Sequence, residues 1–175
     1  FPNAGKSTLI STVSAARPEI ADYPFTTLRP HLGVVAWAEF ESFIMADIPG
    51  LIEGAHKGKG LGTQFLRHIQ RTALLLYLIE IAEGSMQDPV ASFDILQREL
   101  ASFDPHLAQR PFAVVGTKLD LQGGGGNLVK LQHFCKSRQI PFFAISSITH
   151  QGIPSLIQYV GAQLAATRTL CAANA

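Results

Sequence analysis

Several things that mark specialised chains are scarce in this sequence. Only two of its 175 residues are cysteine, Cys135 and Cys171, and they form no C-x-x-C pair. That excludes a disulfide framework and leads us to expect a reducing, cytoplasmic compartment with both thiols buried or inert. Charged residues make up 15% and nearly cancel, 14 basic against 13 acidic, so composition makes no general case for nucleic acid or an anionic membrane. No apolar run approaches the roughly 18 residues of a membrane span. The richest, Ala73 to Ile79, has the length of a buried strand. The histidines, His31, His56, His68, His106, His133 and His150, offer no pair at metal-ligand spacing and no Cys-His cluster, so no structural metal is assigned. Internal repeats and a domain boundary are absent as well.

What is present is 47% hydrophobic residues in 18.9 kDa, enough for one compact domain with a sizeable core. Leu9, Ile10 and Val13 follow Gly5-Lys6-Ser7-Thr8 at helical spacing, and Arg17-Pro18 ends that run. Gly33 to Glu39 and Phe43 to Ala46 read as two antiparallel strands joined by Phe40-Glu41-Ser42. Leu61, Phe65, Leu66 and Ile69 form an amphipathic helix with a basic outer side, and Ala73 to Ile81 a strand covered on both faces. Helices are expected around Phe93 to Phe103, Leu128 to Phe134 and Ile153 to Leu164, and strands at Phe112 to Val115 and Ile140 to Ile145. Such alternation predicts an α/β fold, a mostly parallel sheet with helices on both faces. Gly123 to Gly126 reads as a flexible surface loop, and the end of the chain as a frayed tail, with the domain over 1–168 and the tail over 169–175.

Phe1-Pro2-Asn3-Ala4-Gly5-Lys6-Ser7-Thr8 is the phosphate loop G-x-x-x-x-G-K-[ST] without its first glycine, which falls one position before Phe1. In such a loop the backbone N–H groups face phosphate oxygens, Gly5 permits close approach, and the following helix adds its positive end. Lys6 is placed to bridge the β- and γ-phosphates and Ser7 to offer its hydroxyl to Mg²⁺. Thr26-Thr27 lies in an irregular stretch between Pro24 and Pro30, where a threonine hydroxyl can close over Mg²⁺ and the γ-phosphate. Asp47-Ile48-Pro49-Gly50 follows a strand, so Asp47 can hold Mg²⁺ through water and the Gly50 N–H can meet the γ-phosphate. Thr117-Lys118-Leu119-Asp120 also follows a strand. Its carboxylate can accept the donor pair that guanine presents and adenine lacks, with the Lys118 stem against the ring and a backbone N–H of Ser146-Ser147-Ile148 for the guanine oxygen.

On these residues the chain resembles the translation-factor class of P-loop GTPases, and within it the Obg family. The resemblance is carried by Phe1 to Thr8, Ile20 to Gly33 (IADYPFTTLRPHLG) and above all Asp47 to Thr72 (DIPGLIEGAHKGKGLGTQFLRHIQRT), and it extends over essentially the whole chain. It implies phosphate binding by Phe1 to Ser7, Mg²⁺ ligation by Ser7 and Thr27, switches at Phe25-Thr26-Thr27-Leu28-Arg29 and Asp47 to Gly50, and guanine binding by Thr117 to Asp120 with Ser146 to Ile148. Lys6, Thr27 and Gly50 would carry the hydrolytic step. Against the family pattern, the first loop glycine and the strand before it are missing, so a longer native protein is expected. Thr117 stands where asparagine is usual, which predicts weaker loop tethering, and Ser147 replaces an alanine.

The reaction implied is attack of water on the γ-phosphate of GTP, with GDP as product. Leu51 occupies the place of a water-orienting glutamine, so turnover is expected to be slow. Asn3 either helps to hold a K⁺ or completes the loop's turn. A competing reading is a binding switch that GTP orders and hydrolysis resets, with Lys57, Lys59, Arg67 and Arg71 either meeting ribosomal RNA or forming a solvated face. A monomer is expected, and family resemblance implies action on the large ribosomal subunit or its precursor. An incomplete, inert domain and an adenine-specific enzyme are the remaining alternatives.

Overall fold

The computed structural model describes residues 1, 3–15, 19–20, 31–47 and 72–173. In chain order these form helix α1 (Lys6–Val13), strands β1 (Glu19–Ile20), β2 (His31–Ala38), β3 (Glu41–Ala46) and β4 (Leu75–Glu80), and helices α2 (Pro89–Phe103) and α3 (Pro105–Ala108). There follow strand β5 (Phe112–Thr117), a 3₁₀ turn (Leu119–Leu121), helix α4 (Gly126–Ser137), strand β6 (Phe142–Ala144) and helix α5 (Ile153–Ala173).

The parallel layer has the order β4-β5-β6, with Leu75 opposite Phe112 and Val114 opposite Phe142. The antiparallel layer has the order β1-β2-β3, with Val34 opposite Ile44. The hairpin is tighter than the sequence suggested: β3 begins at Glu41, leaving Glu39-Phe40 as the turn, and Phe40 takes a left-handed φ of 60°. A bulge between Ala36 and Ala38 adjusts the register there.

Apolar alternation in β4 explains why helices cover both faces of the parallel sheet. Leu75, Tyr77 and Ile79 join Phe93 and Leu100 of α2, Leu107 of α3 and Leu131 and Cys135 of α4 in one core. Leu76 and Leu78 turn to the other, with Leu9 of α1, Val35 and Phe43 of the hairpin and Leu156 and Val160 of α5. β5 is buried almost along its length and divides its side chains between both cores, Val114 to the first and Val115 to the second. Fully burying a side chain such as Phe93, 1% exposed, contributes about 1.5–3 kcal/mol.

Local chemistry sets the helix boundaries. Asp88 caps α2 by accepting from the Val90 and Ala91 N–H groups at 3.0 Å each, with Pro89 in the first turn. Asp104 closes α2 and opens α3 in the same way. α4 starts one residue earlier than the loop reading allowed, Gly125 serving as its left-handed N-cap. α5 runs through Ala173, into the segment read as a tail; Ala165 and Ala166 are strong helix formers, and Thr167 and Thr169 bond back to the Gln163 and Ala165 carbonyls. Cys135 is buried, as expected, and burial pushes its thiol up to about 11. The expected helix around Leu61 to Ile69 and the threonine segment lie outside the described residues.

Candidate nucleotide site

The carboxyl end of β5, the segment after β6 and the amino end of α1 converge on one open cleft of about 430 Å³. Parallel sheets bind ligands in this place, beyond the strand ends, because loops and helix starts gather there. Asn3, Gly5, Lys6, Ser7 and Thr8 line one end of the cleft; Thr117, Lys118, Asp120, Leu121, Ser147 and Ile148 line the other. The two most separated motifs of the sequence are therefore brought to a single cavity.

At the first end the loop is a tight, left-handed structure. Asn3 has φ 59° and Gly5 φ 84°, and Gly5 is the N-cap of α1 with no side chain capping the helix. The first N–H groups of α1 consequently have no acceptor within the helix, which begins its own ladder with Leu9 N–H to the Gly5 carbonyl at 2.8 Å. The Lys6 ammonium folds back and donates to the Phe1 carbonyl at 2.8 Å, bridging the loop from one end to the other. Uncapped amides, a positive helix end and a lysine held across them make an anion cradle.

Asp47 follows β3, only 9% exposed, its N–H bonded to the His31 carbonyl at 3.0 Å. Its Oδ1 is buried and accepts no hydrogen bond among the described residues. Burial pushes the carboxyl above its ordinary value, while the charges of Lys6 and His31 pull it back. A buried carboxylate oxygen lacking a partner, beside a lysine, fits a hydrated divalent cation, and Ser7 supplies a hydroxyl on the cleft wall.

At the other end the backbone is tied down. Thr117 is 3% exposed and its Oγ1 donates to the Ile79 carbonyl at 3.4 Å, so it anchors strand to strand. A Cβ added at Gly5 would lie 4.0 Å from the Thr117 Cβ, so β5 ends directly against the phosphate loop. Lys118 adopts φ 61°, ψ 43°, and opens the 3₁₀ turn that exposes Asp120. The Leu119 N–H donates to the Ile145 carbonyl at 3.0 Å, joining the turn after β5 to the end of β6.

The three residues after β6 divide their work. Ser146 is fully buried; its N–H donates to the Gln151 carbonyl and its Oγ accepts from the Thr149 N–H at 3.1 Å, so it builds the turn and does not line the cleft. Ser147 and Ile148 do line it, and the Thr12 hydroxyl holds the Ser147 carbonyl at 3.3 Å. Ala4 is buried behind the loop and Leu119 behind the turn. Leu121, 56% exposed on the cleft wall, was not read from the sequence; its signal was an apolar residue directly after the T-K-L-D run. Pro2, Phe25 to Arg29 and Ile48 to Gly50 lie outside the described residues.

This combination of α/β layers and a loop-to-carboxylate cleft defines a P-loop nucleotide-binding protein. A family model described as 50S ribosome-binding GTPase matches residues 1–118, and the chain belongs to that family. It is similar to GTPase Obg of Thermodesulfovibrio yellowstonii, 55% identical over 91% of this chain and 48% of that protein. It also matches GTPase Obg of Solibacter usitatus, 57% identical over 89% of this chain and 46% of that protein. The Obg resemblance is thereby borne out, and the chain spans about half the length of these relatives. Among solved structures, the G domain of the T. maritima FeoB iron transporter superposes with a TM-score of 0.67 at 18% identity, covering 93% of each chain. A nucleolar GTP-binding protein 1 of Plasmodium falciparum gives 0.65 at 18% identity, covering 98% of this chain and 85% of that one. These two agree in fold.

Proposed function

We propose that this chain is the nucleotide-binding domain of a GTP-hydrolysing switch that acts in assembly of the large ribosomal subunit. One observation carries the reading: a single cleft joins a phosphate loop at one end to an exposed Asp120 at the other. Asp120 accepts the two donors of guanine, Lys118 lies along the ring, and the Ser147 or Ile148 N–H meets the guanine oxygen, Ser146 having spent its own on Gln151. Leu121 and Ile148 offer exposed apolar surface to the ring at the same end.

Along the phosphates, Lys6 exchanges the Phe1 carbonyl for phosphate oxygens, and the amides of α1 donate to them. Mg²⁺, when bound, supplies charge neutralisation on those oxygens. Ser7 and Thr27 would ligate it, and Asp47 would hold it through water. Gly50 would donate its N–H to the γ-phosphate, and Phe25 to Arg29 would close as the first switch. Leu51 cannot orient the attacking water, so we expect slow turnover, raised by K⁺ held with the help of Asn3.

Leu51 also favours a second reading, a nucleotide-dependent binding switch in which hydrolysis is negligible and docking on the ribosome is the output. Phosphate release from GTP by the full-length protein, in K⁺ and in Na⁺ and with and without large ribosomal subunits, separates the two. Release that rises in K⁺ and with subunits supports the hydrolytic switch. Absence of release in every condition, with GTP-dependent co-sedimentation retained, favours the binding switch. Absence of both overturns the assignment. The cytoplasm and a monomeric state are part of the proposal; among the described residues no helix is long and apolar enough to cross a membrane.

A further inference from the structure

Glu80 is the last residue of β4 and lies opposite Thr117 in the parallel register. It does not line the cleft, yet its Oε2 is 2.8 Å from the Lys118 ammonium, and the two side chains are 29% and 32% exposed. Lysine is a flexible side chain carrying about 2 kcal/mol of rotamer entropy, so left alone it would sample many positions around the cleft. An ion pair on the rigid end of a strand removes that freedom before any ligand arrives.

The backbone behind Glu80 supports this role. The Ile81 N–H donates to the Thr117 carbonyl at 3.0 Å and the Glu83 N–H to the Leu121 carbonyl at 2.8 Å. The Gly124 N–H donates to Glu83 Oε2 at 3.1 Å, and Asn127 Nδ2 to the Ala82 carbonyl at 3.0 Å. A Cβ at Gly123 would fall 1.3 Å from Glu83 Oε2, so the glycine run is packed onto this segment. Glu80 thus sits on a stretch stitched along the whole length of the guanine-reading turn, and among the described residues its carboxylate pairs with Lys118.

We propose that Glu80 is a positioning residue for guanine nucleotide: it holds the Lys118 side chain in the place where its stem meets the base. The proposal rests on the guanine reading of Lys118 and Asp120. It predicts that Glu80 tunes affinity for a nucleotide and leaves affinity for a ligand without a base untouched.

The test uses the full-length protein and titration calorimetry with Mg²⁺, comparing GDP with pyrophosphate. Glu80→Gln, which keeps the side-chain volume, should weaken GDP about fivefold, the size of one partly exposed charge pair, and leave pyrophosphate unchanged. Lys118→Ala should weaken GDP more, and adding Glu80→Gln to it should do no further harm. A Glu80→Gln protein with normal GDP affinity, or losses that simply add in the double variant, overturns the positioning role while the guanine reading stands. Pyrophosphate weakened as much as GDP also overturns it, since the change then acts on the fold at large. Unchanged GDP affinity in Lys118→Ala removes the guanine reading itself and the proposal with it.

Discussion

The two ends of the cleft are built on opposite principles. At the proposed base end the groups that frame Asp120 are already held by protein: Thr117 by Ile79, Leu119 by Ile145, Ser146 by Gln151 and Thr149, Lys118 by Glu80. At the phosphate end α1 has no side-chain cap and Asp47 Oδ1 is buried without a partner among the described residues. A site satisfied in advance selects by shape and geometry, because nothing needs to reorganise when the ligand enters. A site with unsatisfied groups gains most when charge arrives, because desolvation has been paid before binding. On the proposed function, discrimination between bases would belong to one end, and the response to phosphate and metal to the other.

Equivalent glycine substitutions break this comparison most strongly. Gly152 supports the turn behind the base end with φ +75°, and a Cβ there would lie 2.1 Å from the Ala144 carbonyl oxygen. Gly152→Ala combines a left-handed strain with a backbone clash and should cost about 3 kcal/mol of stability. Gly5→Ala meets only the strain, since its nearest neighbour is 4.0 Å away, and should cost about 1 kcal/mol. Denaturant titration of both variants measures the difference. Equal losses would mean that the base end is no more rigidly packed than the loop.

A smaller effect sharpens the contrast from the phosphate side. Because burial raises the Asp47 carboxyl above its unfolded value, the folded state binds its proton more tightly than the unfolded chain. Ionising Asp47 then subtracts stability once pH passes above the unfolded value of about 4, and the loss reaches its full size above the folded one. Asp47→Asn should therefore raise the melting temperature of the nucleotide-free protein slightly at pH 7.5 and not at pH 3.5, while weakening the Mg²⁺ dependence of GDP binding. Melting scans at the two pH values check the first part; a variant less stable at pH 7.5 would show that the carboxylate has a partner.

Much of this was legible in the sequence, for identifiable reasons. Near-continuous apolar runs marked β4 and β5, and a helical apolar stripe the helix at Phe93, because a strand covered on two faces and a helix stripe have different patterns. The loop, Asp47 and T-K-L-D stand out in the sequence because the chemistry proposed for them depends on residue type at short spacing, and the structure brings loop and T-K-L-D residues to one cleft. What stayed hidden depends on contacts between distant positions. Nothing local marks Glu80 as the partner of Lys118, 38 residues later. Ser146 looked equivalent to Ser147 until the turn to Gln151 took its N–H. The tight hairpin turn at Phe40 was missed because its left-handed residue is neither glycine nor asparagine.

The proposed selection of base by Asp120 is open to direct measurement. Titration of the full-length protein and its Asp120→Asn variant with GDP, ADP and xanthosine diphosphate, each with Mg²⁺, is the direct measurement. The prediction is tight GDP binding with none for ADP in the unmodified protein, and in the variant a loss of GDP affinity of about 100-fold, the worth of two hydrogen bonds to a charged group, with a gain for xanthosine diphosphate. Equal binding of GDP and ADP, or a variant that binds GDP as well as its parent, would contradict it.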